Sequence, residues 1–454
     1  MKKKARLGRI AAVALFCALA AAVLFITGRI IRAKFIGDST TIVNGFYSEK
    51  KNDVDMIIIG SSNSFCTINP VVLYENYGIA AYDFGSSSQP LNISLLYLKE
   101  ALKRQNPKVV AFETNMLLGG SGRKNEEALR WGLTDMPLSL DKLKCIYQSV
   151  GAVNAEYFSY VFPVFRYHNR WRELTKTDYT YFYQDKTNYT KGYLETGSVY
   201  EGEINFDDYF SEGEAWISDE NMAYFDEMAQ LCEKEGVELL LFKSPKEEWY
   251  SYDTELIYEL AEKYDIPFLD YNELYHAGEV ELDLAQDFRD MLHLNNYGAK
   301  KVTMHFGEYV CRNYDMPDRR NDEGQNSWDL ALMYMERRDN RDFEPAQSAG
   351  ECLKLLQGDE NYVLIVTDAG KNSGSRVRQW VYENGKVRLD KTWEKDGVVH
   401  MRIGGDSELA LLKKKKLYQV IVDDVEQYEA GHRWNVVVYD KIVGSVVGSL
   451  YFDE

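Results

Sequence analysis

Two short strings could carry chemistry: IIIGSSNS at Ile57–Ser64 and DMLHLN at Asp290–Asn295. The first places Ser62 just after an apolar β-branched run, at a strand-to-helix turn. The second spaces an aspartate and a histidine three residues apart. A hydroxyl is a poor nucleophile at neutral pH unless a base takes its proton and a third group orients that base. Ser62 is the candidate nucleophile, His293 the base and Asp290 its orienter. Spacing of three lets the Asp290 carboxylate receive the imidazole Nδ1–H in a tight turn while Nε2 faces the serine. Asp287 is a rival orienter at worse spacing. His168, His276, His305, His400 and His432 lack a comparable setting. Taken alone, GSS at a strand end also reads as an ordinary helix-capping serine.

Gly60 permits a tight turn that aims the Ser62 N–H at a bound oxyanion. Gly85 offers a second backbone N–H with no side chain in the way, and the Asn115 amide a third donor. Losing one such donor typically costs about 3 kcal/mol of transition-state stabilisation. These residues must be gathered by a scaffold. VDMIIIG, AAYDFG, KVVAFE, VELLLFKSP and a short run before Tyr271 read as strands. Pro90–Gln105, Ile217–Gly236, a segment after Glu255 and Asn295–Arg312 read as helices. Repeated strand–helix units predict an α/β fold: a parallel sheet covered on both faces, with its site at the carboxyl ends of the strands. Ser62, Gly85 and Asn115 all follow predicted strands, so one sheet edge can collect them.

The order Gly60-Ser61-Ser62, Gly85, Asn115, Asp290-x-x-His293 resembles the SGNH (GDSL-type) hydrolase superfamily over roughly residues 54–312. The resemblance implies a flavodoxin-like three-layer α/β/α sandwich and Ser-His-Asp acyl transfer. Position by position it implies Ser62 as nucleophile, Asp290 and His293 as its partners, and an oxyanion hole of Ser62, Gly85 and Asn115. Ser61 stands where the family has aspartate, and Glu113-Thr114-Asn115-Met116 stands for GxND. The chain is similar in these respects to membrane-anchored bacterial members, the teichoic-acid D-alanine transfer and alginate O-acetylation proteins. That similarity implies action on acyl esters of a cell-surface polysaccharide, with a multi-pass membrane acyltransferase as a possible partner. The chemistry needs no metal or organic cofactor. A plain carbohydrate esterase and a non-catalytic polysaccharide-binding or assembly protein on the same scaffold are the alternatives.

The remaining segments set the context. Lys2, Lys3, Lys4, Arg6 and Arg9 precede an uncharged run from Ile10 to Gly28, about the 20 residues a bilayer crossing needs. Ala18-Leu19-Ala20 mimics a cleavage site, but the apolar run continues past it, so residues 1–34 read as a cytoplasmic tip and an uncleaved transmembrane anchor. The rest of the chain then lies outside the membrane. It carries 45 Lys/Arg against 71 Asp/Glu, a formal −26, which repels nucleic acid. Cys66, Cys145, Cys232, Cys311 and Cys352 are scattered singly, which argues against zinc or a disulfide framework and for small core side chains.

Residues 35–315 are assigned to the catalytic domain. Within it, 151–215 is an aromatic-rich insertion over the site, able to stack on sugars or a membrane partner or simply to form its own core. Residues 316–350 read as a linker with a helical patch at Trp328–Arg337. Residues 351–454 read as a β-rich, sandwich-like domain from six runs: YVLIVTD, RVRQWVY, VVHMRI, LYQVIVDD, WNVVVYD and GSVVGSLYF. YVLIVTDAGKNS and GHRWNVVVYDKIVGSVVGSLYFD resemble the interleukin-like EMT inducer domain, itself similar to the stem domain of a protein O-mannose N-acetylglucosaminyltransferase. The resemblance implies a glycan-binding module.

Overall fold

The computed structural model describes all residues except 1, 35–36, 121–124, 184–185, 324–325, 340–342, 357, 371–376, 406, 415–416, 424, 428–431 and 454. The chain forms two compact units, Met1–Leu332 and Met333–Glu454.

Unit 1 is built on five short strands: β1 (Met56–Ile59), β2 (Ala81–Asp83), β3 (Val109–Glu113), β4 (Glu238–Lys243) and β5 (Phe268–Asp270). They pair in parallel in the order β2-β1-β3-β4-β5, the flavodoxin-like order. Every residue of β1 and β3 is buried, as expected of a parallel sheet covered on both faces. Successive residues alternate between two cores. Ile57, Ile59, Val110, Phe112, Leu239 and Leu241 join one. Met56, Ile58, Val109, Ala111, Leu240 and Phe242 join the other. Helices Leu91–Leu102 and Asp219–Glu235 supply the first layer, and Pro70–Tyr77 with Asn296–Asn313 the second. The α/β/α sandwich expected from the strand–helix rhythm is present, followed by a β-rich unit and preceded by one long apolar helix.

The register fixes the site edge. Ile58 pairs with Asp83, and Ile59 with Phe112. Gly85 is therefore level with Gly60, and Asn115 follows two residues beyond the end of the neighbouring β3. Order reverses between β1 and β3, the topological switch point where open α/β sheets bind ligands.

Unit 2 holds two antiparallel sheets, β10-β9-β8-β15-β16 and β11-β12-β13-β14, in which β14 is Val425–Glu426 and β16 is Ser445–Phe452. β8 (Tyr362–Asp368), β9 (Val377–Glu383) and β15 (Trp434–Asp440) face β11 (Gly397–Gly404), β12 (Ser407–Lys414) and β13 (Leu417–Val422) across one core of Ile365, Val381, Val437, Leu409, Leu411 and Val420. It is a sandwich, and helix Ala349–Leu356 covers the other face of its first sheet. β10 (Lys386–Trp393) and β12 were not among the expected strands. Two expected strands reach past the described residues at Arg376 and Asp424, and the resembling segments do so at 371–373 and 431.

The stretch read as a linker differs most from expectation. Its first half belongs to unit 1. The Arg319 guanidinium forks onto Asp55 at 2.7 Å through both Nε and Nη2. Trp328 is 1% exposed, and its indole N–H donates to the Ala81 carbonyl at 3.0 Å. Helix Ser327–Asp339 contains the helical patch. Beside Trp328, the buried Lys191 ammonium bonds Glu49 at 2.6 Å, and Ser327 donates to the other oxygen of Glu49. Removing one partner of such a pair leaves an uncompensated charge, at a cost of about 3–5 kcal/mol. Lys191→Met is expected to lower the thermal unfolding midpoint followed by circular dichroism, and Lys191→Met/Glu49→Gln to recover part of it. A single variant as stable as the wild type, or a double variant no better than the single, would remove this pair from the fastening of unit 1.

Candidate active site

β1 ends at Ile59, and after Gly60-Ser61 the residue Ser62 opens a single helical turn, Ser62–Phe65. Ser61 precedes it in extended conformation (φ −87°, ψ −162°) and makes no side-chain cap bond, so the ordinary capping role is not what this string does. At the other end of unit 1, β6 (Phe288–Asp290) and β7 (His293–Leu294) form a two-stranded antiparallel ribbon in which Asp290 lies opposite His293. The spacing of three is thus a two-residue hairpin turn through Met291-Leu292. Directly opposed residues bring their side chains within reach of each other.

The contacts are short. His293 Nδ1 lies 2.9 Å and 3.0 Å from the two Asp290 oxygens, and His293 Nε2 lies 2.8 Å from Ser62 Oγ. With Asp290 accepting from Nδ1–H, Nε2 is the lone-pair nitrogen and accepts from the serine hydroxyl. The rival orienter is occupied elsewhere: Asp287 accepts from Lys301 Nζ at 2.6 Å and from the Asp283 N–H at 2.7 Å.

Burial raises the Asp290 carboxyl. The Leu292 N–H at 2.8 Å, the adjacent His293 and the Arg289 guanidinium outweigh it and hold Asp290 below its ordinary value. Burial pushes the His293 imidazole down, Asp290 pulls it back up, and Arg289 and Lys243 lower it further; the net shift is downward. The ring is therefore neutral at neutral pH, the state in which it can accept a proton.

Asn115 and Gly85 reach the same edge. An added Cβ on Gly85 would sit 2.6 Å from the Gly60 carbonyl oxygen, so only glycine lets the two turns abut. Among the described residues, no hydrogen bond occupies the N–H of Ser62 or Gly85. The Asn115 amide nitrogen is half-buried and contacts Met116 Sδ at 3.8 Å.

The structure adds residues that the two strings did not disclose. The Glu113 carboxylate, at the end of β3, accepts from the Asn115 N–H at 3.1 Å and from Lys243 Nζ at 3.2 Å; both side chains are fully buried. Next to Lys243, Ser244 Oγ donates to the Asn63 carbonyl at 2.6 Å, tying β4 to the Ser62 turn. Asp83, at the end of β2, is fully buried, and burial raises its carboxyl well above the usual range; the Ser64 hydroxyl opposes this and the Glu113 charge adds to it. Ser64 Oγ lies 3.0 Å from both Asp83 Oδ1 and the Ser61 carbonyl. The Ser64 hydroxyl is thus shared between the Asp83 carboxyl and the Ser61 carbonyl, which fixes the backbone just before Ser62. Asn295 caps the helix Asn296–Asn313, accepting from Tyr297 N–H, and its own amide donates to the Gln286 carbonyl at 2.6 Å, which pins the hairpin.

The aromatic insertion divides in two. Its later part borders the site: Leu194 N–H donates to the Phe65 carbonyl, Tyr200 N–H to the Phe288 carbonyl, and the Asn295 amide to the Ser198 carbonyl. Tyr193 and Phe206 are buried there. Of its earlier part, Ala155–Val161 packs on the helix Leu140–Val150, and the stretch Val164–Thr180 packs on the N-terminal helix instead. Tyr160 is buried, whereas Phe165, Trp171, Tyr179 and Tyr183 are exposed. Among the cysteines, Cys66, Cys145, Cys232 and Cys352 are buried and Cys17 and Cys311 are exposed, all as free thiols.

No protein-family model matches the chain, and no curated protein matches it significantly. A solved structure from Bacteroides fragilis, described as a candidate acylhydrolase, is similar at 10% identity over 58% of this chain and 89% of that one, with a TM-score of 0.27. A TM-score of that size fixes neither fold nor activity.

The electrostatics predict a titration. A histidine protonates as pH falls through its pKa, so a depressed His293 stays neutral below the ordinary 6.5. In the ¹⁵N-histidine NMR spectrum of the full chain, the His293 midpoint is expected below 6.5, and Arg289→Gln is expected to raise it by removing a nearby cation. A wild-type midpoint above 6.5, or one that Arg289→Gln leaves in place, would show the balance of charges to be otherwise.

Proposed function

We propose that this chain is a membrane-anchored, extracytoplasmic serine esterase or O-acyltransferase of the SGNH type, acting on O-acyl esters, most simply O-acetyl, of a cell-surface polysaccharide. The observation that carries it is the unbroken hydrogen-bonded series Asp290–His293–Ser62, at 2.9 and 2.8 Å, on the carboxyl edge of a parallel sheet.

In this reading His293 Nε2 takes the Ser62 proton as Oγ attacks the ester carbonyl, and Asp290 stabilises the imidazolium that results. The N–H groups of Ser62 and Gly85, with the Asn115 amide, receive the charge that develops on the carbonyl oxygen. His293 returns the proton to the leaving alkoxide and leaves an acyl-serine. A sugar hydroxyl or water, deprotonated by the same imidazole, then accepts the acyl group. The helix Gly8–Ile31 is long and apolar enough to cross a membrane, and it supports the anchor. Recognition of the polymer is assigned to the C-terminal sandwich, and supply of the acyl group to a multi-pass acyltransferase.

The test is Ser62→Ala in the full chain. Fluorophosphonate labelling is expected to vanish, and turnover of a chromogenic acetate ester to fall by at least about 10⁴-fold. Ser61→Ala, at the adjacent residue that contacts no reacting atom in this scheme, is expected to keep its labelling. Labelling that survives in Ser62→Ala overturns the nucleophile assignment. Normal glycan binding without turnover of any acyl ester would favour a binding protein on this scaffold.

A further inference from the structure

The early part of the insertion grips the end of the N-terminal helix. That helix offers a 24-residue span, Gly8–Ile31, uncharged from Ile10 to Gly28. At 1.5 Å per residue it measures about 36 Å, against about 30 Å for the hydrocarbon core. If Gly8 lies at one boundary, the final turn, Gly28–Ile31, falls at the opposite one. This is the turn the insertion holds. An added Cβ on Gly28 would lie 3.3 Å from Pro163 Cδ and 3.6 Å from the Val164 nitrogen, so the small residue allows close approach there. Arg170 Nη1 donates to the Ile31 and Arg32 carbonyls at 2.8 and 2.6 Å. Lys34 Nζ donates to the Arg29 and Ile30 carbonyls at 2.9 and 2.6 Å. These cations satisfy the orphan carbonyls of a helix C-terminus and meet its negative dipole end. Asp178 lies 3.3 Å from Lys34 and 3.2 Å from Arg170 and closes the clamp. The Arg29 guanidinium lies 4.0 Å from the centre of the Phe182 ring.

Three elements of the insertion touch that helix: Val164–Tyr167, His168–Arg172 and Lys176–Thr180. Each presents one bare aromatic: Phe165 at 53% exposure, Trp171 at 60% and Tyr179 at 53%. Neighbouring aromatics left in water at one place mark an interaction surface. Its partner follows from continuity. A segment bonded to the last turn of a membrane span lies at the membrane surface, where tryptophan and tyrosine concentrate because their rings suit the headgroup zone.

We propose that the insertion is a membrane-interface collar. Phe165, Trp171 and Tyr179 enter the headgroup region of the phospholipid bilayer beside the point where the N-terminal helix leaves it. This rests on the proposed anchor. The clamp fixes unit 1 to the helix, and the collar stops it from swivelling, so the Ser62 edge keeps one orientation to the membrane.

The test reconstitutes the full chain in vesicles of phosphatidylcholine and phosphatidylglycerol, with part of the phosphatidylcholine brominated on its acyl chains. Tryptophan emission is compared between wild type and Trp171→Tyr, a substitution at an exposed ring. Bromolipid is expected to quench a component of wild-type emission that the variant lacks. Equal quenching in the two overturns the collar and assigns the aromatics to solvent or to a protein partner. Alkaline carbonate extraction separates the two readings. Chain that washes off the vesicles refutes the anchor itself; chain that stays while Trp171 contributes no quenching refutes the collar alone.

Discussion

The hydrogen bond between Ser62 and His293 joins groups 231 residues apart, and most of unit 1 serves to make that distance small. β1 lies between β2 and β3, so the turn that carries Ser62 leaves the sheet at its switch point. The hairpin that carries His293 precedes the helix Asn296–Asn313, which packs beside Pro70–Tyr77 on the same face of the sheet. Neither residue could find the other without both constraints. The pair Asp290–His293 is different: its geometry is local, set by a two-residue turn, and needs only that the turn be held. Asn295 supplies that hold from the cap of the following helix, and the Thr196–Tyr200 strip of the insertion supplies it from outside.

Beneath these residues the polar groups are buried rather than solvated. Glu113 and Lys243 are fully withdrawn from water, and so is Asp83. A buried charge is tolerable when paired and hydrogen-bonded on its remaining sites. Glu113 meets that condition by accepting from Lys243, from the Asn115 N–H and, at 3.5 Å, from the Ser244 N–H. Asp83 meets it differently, since its environment favours the neutral acid. The floor of the site is therefore polar but stiff: Glu113 bonds the Asn115 N–H directly, and Asp83 is linked to the Ser61 carbonyl through the Ser64 hydroxyl. The Glu113 side chain thus makes bonds at the end of β3 that a smaller residue could not.

Local patterns carried much of the fold into view. The apolar run before Ser62, the helical spacing of Asp219–Glu235 and the D-x-x-H string were legible because each is set by residues close in sequence. Glu113 with Lys243, 130 residues apart, left no local signature. Asp83 lay inside an expected strand, AAYDFG, with nothing local to mark it. β10 was hidden by its polarity; it is a sheet edge, mostly exposed, where lysine and arginine are the usual protection. In β12 the alternation of buried Leu409 and Leu411 was obscured by the lysines that follow. The stretch 316–332 looked solvated from its Asp, Arg and Asn content. One Arg–Asp fork and one buried tryptophan were enough to build it into unit 1, and composition does not reveal where two such residues find partners.

The charges around the site answer two demands at once. Outside the anchor the chain is strongly acidic, which by itself would raise the affinity of His293 for a proton and oppose negative charge on a bound substrate. Locally the balance differs: burial lowers the His293 pKa most, Asp290 opposes it, and Arg289 and Lys243 lower it further. Their field falls off with distance and is screened by water only on the open side. The same two cations, which add to the effect of burial on the imidazole, would favour an oxyanion forming next to Ser62. Neither can be displaced easily, since Arg289 leans on Asp290 and Lys243 is locked on Glu113. In the proposed acyl transfer, the base is kept free of its proton and the developing charge is met by one fixed arrangement, so no group has to move between the resting site and the transition state.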